Sequence, residues 1–125
     1  MKQPEEGQSK REVTWEEIDN CVRKLIVDIP EKATIWGIPT NGTVVVKKIL
    51  QIRNDVEIYY GDKPEPWMIV VDDIHDSGET ALSHQDNGNI VMTLYSRKVE
   101  GKNDADFFAE QVDDDDWLVF PWEKE

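Results

Sequence analysis

The sequence is poor in the residues on which several protein classes depend. It contains one cysteine and two histidines among 125 residues, which excludes an internal disulfide and a cysteine-based zinc cluster. No apolar run approaches the ~20 residues that span a bilayer, and the N-terminus has no signal-peptide core. We therefore expect a soluble, cytoplasmic protein without a membrane partner. His75 and His84 are too few to suggest a metal cluster, and we expect His75 to be solvated.

Basic residues are also scarce, since 14 lysines and arginines stand against 27 acidic residues and give a net charge of −13. This balance disfavours nucleic acid and anionic membranes as partners. An anionic substrate must instead be held by a local device, such as backbone N–H groups, a few basic side chains or Mg²⁺. The length predicts one domain with a core of ordinary size.

The first twelve residues are polar and lack periodicity, so we predict a flexible tail over 1–12 and a folded domain over 13–125. Thr14 and Glu17 form a capping box, and the apolar residues that follow recur at helical spacing. This pattern predicts a helix over 15–29, ended by Pro30. Trp15 and Cys21 lie on its apolar stripe, and we expect both to pack in the core.

Candidate ligand-binding residues are concentrated in the segment 68–80. Four apolar residues, 68–71, suit a strand buried on both faces. Asp72 and Asp73 follow at its carboxyl end, where open α/β sheets bind their ligands. A loop with one glycine then leads into a helix, a geometry that forms a nest of backbone N–H groups for a phosphate. The loop consists of Asp76, Ser77, Gly78, Glu79 and Thr80.

The same order of strand, glycine-bearing turn and helix occurs earlier in the chain. It predicts a strand over 34–38 and a helix over 43–50, separated by a turn that also suits an anion, made of Pro39, Thr40, Asn41 and Gly42. Further strands are predicted over 55–60 and 90–95. The second of these closes on two basic residues, Arg97 and Lys98.

The C-terminal part combines an acidic turn with an aromatic segment. Four aspartates at 113–116 lack the spacing of a calcium loop, so we expect a solvated turn. The residues 117–123 that follow suit a strand packed on the core, and Trp117 also offers a flat π surface suited to a heterocycle. Both roles fit together, with Trp117 stacking while Leu118 and Phe120 pack.

Three segments resemble a known family. Residues 68–80 resemble the phosphoribosyl-diphosphate (PRPP) motif of type I phosphoribosyltransferases, a hydrophobic strand followed by two acidic residues and a D-[ST]-G-x-T loop. The G-I-P-x-x-G turn at 37–42 and the W-L-V-F-P-W-E segment at 117–123 are similar to the xanthine–guanine (purine) branch. The resemblance spans 14–123 and implies a shortened version of that fold: one α/β domain with a mostly parallel, twisted sheet of four or five strands flanked by helices.

The resemblance implies transfer of the 5-phosphoribosyl group from PRPP to a purine base, with release of pyrophosphate. The acidic pair would hold the ribose hydroxyls and a Mg²⁺ that accompanies PRPP. The loop would bind the 5′-phosphate, with Asp76 also a proton acceptor for the base, and the turn would bind pyrophosphate. The base-binding residues implied are Arg97, Lys98, Trp117 and Leu118.

Two departures from the family keep other interpretations open. The family usually has a long flexible loop where this chain has only residues 61–66, and a basic residue in the turn where Thr40 and Asn41 are neutral. A second copy of the chain, in a homo-oligomer, would shield the site, or catalysis would be weak. The alternatives are a regulatory, non-catalytic nucleotide-binding protein and an acidic interaction module with exposed tryptophans.

Overall fold

The computed structural model describes residues 6–76, 78–97 and 104–123. None of the helices within these ranges is long and apolar enough to cross a bilayer. Two short 3₁₀ helices, Ile26–Asp28 and Pro121–Glu123, accompany the main elements. In chain order these are β1 (Lys10–Glu12), α1 (Trp15–Leu25), β2 (Thr34–Gly37), α2 (Asn41–Ile52), β3 (Glu57–Ile58), β4 (Ile69–His75), α3 (Glu79–Asp86), β5 (Ile90–Arg97), β6 (Phe107–Val112) and β7 (Trp117–Val119).

Five strands form one parallel sheet in the order β3-β2-β4-β5-β6. Gly37 of β2 pairs with Val71 of β4, which pairs in turn with Met92 of β5. In this sheet β3 lies on one side of β2, and β4, the next strand along the chain, lies on the other side of β2. The strand order therefore reverses between β2 and β4, where open sheets form a crevice for a ligand. The predicted single α/β domain with a mostly parallel sheet is confirmed.

Helices cover both faces of this sheet. In β4, Ile69 and Val71 belong to a buried cluster that includes residues of α1 and α2, whereas Val70 belongs to a second cluster with Ala81 of α3. Since successive strand residues point to opposite faces, the two clusters lie on opposite sides of the sheet. The apolar run at 68–71 reflects this double burial, as predicted.

The first helix begins where the capping box places it. The backbone N–H of Glu17 donates to Thr14 Oγ1 at 3.1 Å, and Cys21 is buried as predicted. The expectation for Trp15 was wrong, because 45% of its surface is exposed. Trp15 starts the helix and stays outside the core. Its ring centroid lies 5.9 Å from that of Trp122, and the Lys48 ammonium lies 4.9 Å from the Trp15 centroid.

The strands differ from the predictions mainly at the edges of the fold. The strand predicted over 55–60 is only Glu57–Ile58, and β6 was not predicted at all. Lys10–Glu12, assigned to the flexible tail, form β1 and pair in parallel with Trp117–Val119, while residues 1–5 lie outside the described residues. All three β1 residues are exposed, so the strand carries no alternation that a sequence pattern could reveal.

A close backbone contact joins the start of α2 to the middle of β4. A Cβ atom added to Gly42 would lie 2.4 Å from the carbonyl oxygen of Val71. Likewise, a Cβ atom added to Gly37 would lie 2.8 Å from the carbonyl carbon of Gly42. Glycine at both positions therefore lets the helix start touch the two central strands.

We expect Gly42→Ala to destabilise the domain by roughly 1–3 kcal/mol, the usual cost of overpacking. Helix propensity alone would favour alanine by about 1 kcal/mol, so a loss identifies the contact with Val71 as its cause. Urea unfolding of the two proteins measures the difference. Lys47→Ala, at an exposed position of the same helix, is the control and should change little. A Gly42→Ala protein as stable as the parent would contradict the contact.

Candidate functional site

The turn after β2 lies against residues 71–73, in the middle of β4. The backbone N–H of Ile38 donates to Val71 O at 2.9 Å, the Pro39–Thr40 peptide bond is cis, and α2 begins at Asn41. The Asn41 side chain Nδ2 donates to Asp73 Oδ2 at 2.9 Å. The turn predicted to bind pyrophosphate thus contacts the acidic pair directly, a link that the sequence pattern did not indicate.

Asp72 and Asp73 lie inside β4 rather than after it. Asp73 is buried with only 6% of its surface exposed, and its other oxygen, Oδ1, accepts the N–H of Ile74 at 2.7 Å. Asp72 Oδ1 accepts the N–H of Asp73 at 2.9 Å. Burial, and next the adjacent negative charge of Asp73, raise the pKa of Asp72. Two neighbouring carboxylates with little access to water favour a ligand that brings hydroxyl donors or a cation.

The loop after β4 has the geometry of a helix-capping turn. Gly78 adopts φ of 85°, a left-handed conformation that suits glycine, and α3 starts directly after it. The N–H of Leu82 donates to Gly78 O at 3.0 Å, so Gly78 lies at the N-terminal cap of α3. Ser77 lies outside the described residues.

Arg97 connects this loop to the acidic turn near the C-terminus. Its Nε donates to Asp76 Oδ1 at 2.9 Å. Its Nη2 donates to the carbonyl oxygen of Asp116 at 2.7 Å, and Nη1 donates to that of Asp114. Lys98, the other predicted base-binding cation, lies outside the described residues. The Arg97 side chain therefore belongs to the site, with three of its five N–H groups already donated to the protein.

The C-terminal segment forms one wall of the site. Trp117 and Leu118 belong to β7, which β1 holds in place. Phe120 is buried, with its ring stacked on Trp122 at a centroid distance of 4.9 Å and an interplanar angle of 2°. As predicted, Leu118 and Phe120 pack in the core cluster, while the ring of Trp117 is half-buried.

One cavity of about 330 Å³ collects most of the predicted residues. Four predicted residues, Pro39, Thr40, Gly42 and Glu79, are not part of its wall. The predicted residues that line it are Asn41, Asp72, Asp73, Asp76, Gly78, Thr80, Arg97, Trp117 and Leu118. Residues from the turn, the strand ends, the loop and the C-terminal segment therefore surround a single space, of the size of a small-molecule site.

The cavity wall also contains residues that sequence reasoning missed. His75 was expected to be solvated, but it is only 4% exposed and lines the cavity. Its Nε2 has no hydrogen-bond partner within the described residues, and neither has the Oγ of Ser96, its pairing partner on β5. Residues two apart in a strand point to the same face of the sheet. Extending the predicted strand by two residues would therefore have placed His75 on the same face as the buried Asp73. Glu123 also lines the cavity, and no local signal distinguished it.

Residues 61–66, where the family has its long loop, are fixed to the domain. Trp36 Nε1 donates to Gly61 O at 2.8 Å. Beyond this point, Asn89 Nδ2 donates to the carbonyl oxygens of Glu65 and Met68 at 2.7 and 2.9 Å. The buried Pro64 lies between these two anchors. Held at both ends, this connection does not have the freedom of a lid.

Comparisons of sequence match no protein-family model and no curated protein. Comparison of structures does find similar folds. A purine phosphoribosyltransferase from Pyrococcus horikoshii has a TM-score of 0.70 at 20% identity, with 94% of this chain and 96% of that chain covered. The xanthine-guanine-hypoxanthine phosphoribosyltransferase of Helicobacter pylori has a TM-score of 0.65 at 19% identity, with 91% and 94% covered.

A third similar structure, a hypothetical protein from Neisseria gonorrhoeae with bound ppGpp, has a TM-score of 0.59 at 16% identity over 94% of this chain and 90% of that one. Because all three identities are low, the comparisons establish the architecture and not the chemistry. The resemblance seen in the sequence is thereby confirmed at the level of structure: this chain has the fold of the type I, purine phosphoribosyltransferases.

Proposed function

We propose that this protein transfers the 5-phosphoribosyl group from PRPP to a purine base, a 6-oxopurine such as guanine, xanthine or hypoxanthine, and releases pyrophosphate. One observation carries the proposal. The acidic pair, the capped loop and Trp117 come from three separate parts of the chain and line the same cavity. Their chemistry suits a sugar, a phosphate and a flat base, which are the parts of a nucleotide.

The acidic pair suits the ribose end of the substrate. Its carboxylates accept hydrogen bonds from hydroxyl groups, and the side-chain Nδ2 of Asn41 already donates to Asp73 and fixes its orientation. The anomeric carbon acquires positive charge when pyrophosphate leaves, since the transition state has oxocarbenium character. Nearby carboxylates stabilise such a charge, and fixed positions for both reactants supply the rest of the catalysis.

Asp76 and Trp117 suit the base. The ring of Trp117 offers a stacking surface, and Leu118 contributes apolar wall beside it. Asp76 Oδ1 accepts a hydrogen bond from Arg97, and its second oxygen would accept the proton that the purine imidazole loses as the glycosidic bond forms. The loop from Asp76 to Thr80 would hold the 5′-phosphate through its backbone N–H groups.

We propose that Mg²⁺ enters with PRPP. Four carboxylates line the cavity against the single guanidinium of Arg97, counting the described residues. The same residues contain no group of three metal-binding side chains. Mg²⁺ commonly binds through one or two carboxylates plus substrate phosphates, so Asp72 and Asp73 fit this mode. The ion would offset the charge of the diphosphate beside these acids.

The direct test supplies PRPP, Mg²⁺ and, in turn, guanine, xanthine, hypoxanthine and adenine. Chromatography should reveal nucleotide from the 6-oxopurines, with pyrophosphate in equal amount. Because residues 61–66 do not form a lid, we expect slow transfer accompanied by PRPP hydrolysis. Both rates are measured in parallel over a range of protein concentrations, so that an effect of homo-oligomer formation is also detected. Removing Mg²⁺ should weaken PRPP binding. Equal PRPP affinity with and without the ion would contradict its proposed role.

A regulatory nucleotide-binding protein is the second candidate. The fixed connection at 61–66 favours it, and so does the Neisseria protein, which carries ppGpp on a similar fold. Tight binding of a guanine nucleotide without any nucleotide formation from PRPP would support this candidate over the transferase.

We expect the acidic pair to lower the stability of the folded protein at neutral and higher pH. Because the pKa of Asp72 is raised in the folded protein, stability falls as pH rises above the ordinary aspartate value of 3.8. Asp72→Asn should remove this loss and stabilise the protein at pH 8 by at least about 1 kcal/mol, the equivalent of one pKa unit, with little effect at pH 4. Thermal unfolding at the two pH values measures it.

The same substitution, combined with Asp73→Asn, should abolish binding of ribose 5-phosphate compounds in calorimetry. Asp62→Asn, at an exposed position outside the cavity, is the control for both measurements. Undiminished nucleotide affinity in the folded double variant would contradict the assignment of the sugar site.

Trp117→Ala should weaken purine nucleotides by roughly 1–3 kcal/mol, the scale of one stacked base, and leave PRPP affinity nearly unchanged. Titration calorimetry with GMP and PRPP separates the two effects. Trp67→Ala is the matched control, because Trp67 is 69% exposed and lies outside the cavity wall. A parallel loss for both ligands would mean that Trp117 supports the wall rather than the base.

A further inference from the structure

Arg97 joins two parts of the site that are far apart in sequence. Its guanidinium bonds to the Asp76 carboxylate on one side and to the carbonyl oxygens of Asp114 and Asp116 on the other. The Arg97 side chain is 16% exposed, and its bonds to Asp76 and Asp116 are partly buried. A planar group with several fixed N–H donors can serve three acceptors at once.

One of these bonds acts directly on the backbone of Trp117. The peptide unit between Asp116 and Trp117 is held at both ends. Its oxygen accepts from Arg97 Nη2 at 2.7 Å, and its N–H donates to Ser9 O at 2.8 Å. The direction in which the Trp117 side chain leaves the backbone therefore depends on Arg97 as well as on the pairing of β1 with β7.

We propose that Arg97 is a positioning residue, which sets the Trp117 ring and the Asp76 carboxylate in a fixed relation across the cavity. The proposal rests on the proposed function, in which these two groups hold the base. It differs from the role that the family resemblance implies for a cation at this strand end, which is to reach the exocyclic oxygen of the purine. The donors of Arg97 are instead directed at protein acceptors.

Binding of IMP and AMP distinguishes these roles, because the two nucleotides differ only at the N1–C6 edge of the purine, where IMP has an oxygen on C6 and AMP has an amino group. If Arg97 positions the ring, Arg97→Met should weaken the binding of IMP and of AMP by about tenfold each, the scale of a hydrogen bond to a charged group. The ratio of the two affinities should stay unchanged. Arg97→Lys should recover little, because one ammonium group cannot reach three acceptors. A loss confined to IMP, or no loss at all, would overturn the proposal.

Fluorine NMR of protein labelled with 5-fluorotryptophan reports on Trp117 without any ligand. Its resonance is assigned from the signal missing in Trp117→Phe. Arg97→Met should shift or broaden this resonance and leave that of the buried Trp36 in place, which also shows that the variant is folded. Lys24→Met, which breaks the exposed ion pair with Glu110, is the control and should affect neither. An unchanged Trp117 resonance in Arg97→Met would overturn the proposal.

The two measurements separate the proposals. If the unaltered protein binds neither nucleotide, the proposed function fails, and the Trp117 resonance alone decides whether Arg97 positions the ring. If the nucleotides bind, but Arg97→Met leaves the Trp117 resonance unchanged and weakens IMP alone, only the positioning role fails.

Discussion

The contact between the first turn of α2 and the middle of β4 is the constraint on which the candidate site depends. Gly42 has no side chain, and only for that reason can the helix approach the Val71 carbonyl so closely. The approach carries Asn41 to Asp73 and makes the hydrogen bond that joins the turn to the acidic pair. Without it, the crevice between β2 and β4 would be wider and its two walls independent.

Charge is the second constraint, and it acts against the stability of the free protein. The buried Asp73 and the half-buried Asp72 are neighbours in β4, which is costly for two like charges. The only guanidinium among the described residues of the wall is already bonded to Asp76 and two carbonyl groups. The cavity therefore favours a ligand that arrives with hydroxyl donors or a divalent cation, and this is the physical basis of the proposed function.

The walls of the site come from parts of the chain other than a mobile loop. The connection at 61–66 is bonded to Trp36 at its start, and Asn89 holds its far end. The segment from Trp117 to Glu123 forms another part of the wall, and β1 supports it by pairing with β7. A wall built from paired strands favours a preformed cavity over one that forms by closure, which relates directly to the slow transfer and hydrolysis that we propose.

The sequence by itself determined the features that depend on neighbours along the chain. The doubly buried run before Asp72, the capping box at Thr14 and the order of strand, turn and helix each follow from local pattern and chirality, and they were enough for the α/β fold and most of the cavity wall. The resemblance carried by residues 68–80 and 117–123 added the expected ligands.

Only the tertiary structure decided the features that depend on distant partners. The exposed β1 is a strand because β7 is beside it, and Trp15 stays at the surface because its neighbours on the helix fill the core. The solvated histidine expected at 75 is buried because β4 continues past the acidic pair. Arg97 bonds to Asp76 and the 113–116 turn because parallel pairing brings these segments together, and pairing between segments far apart in sequence leaves no local pattern to read.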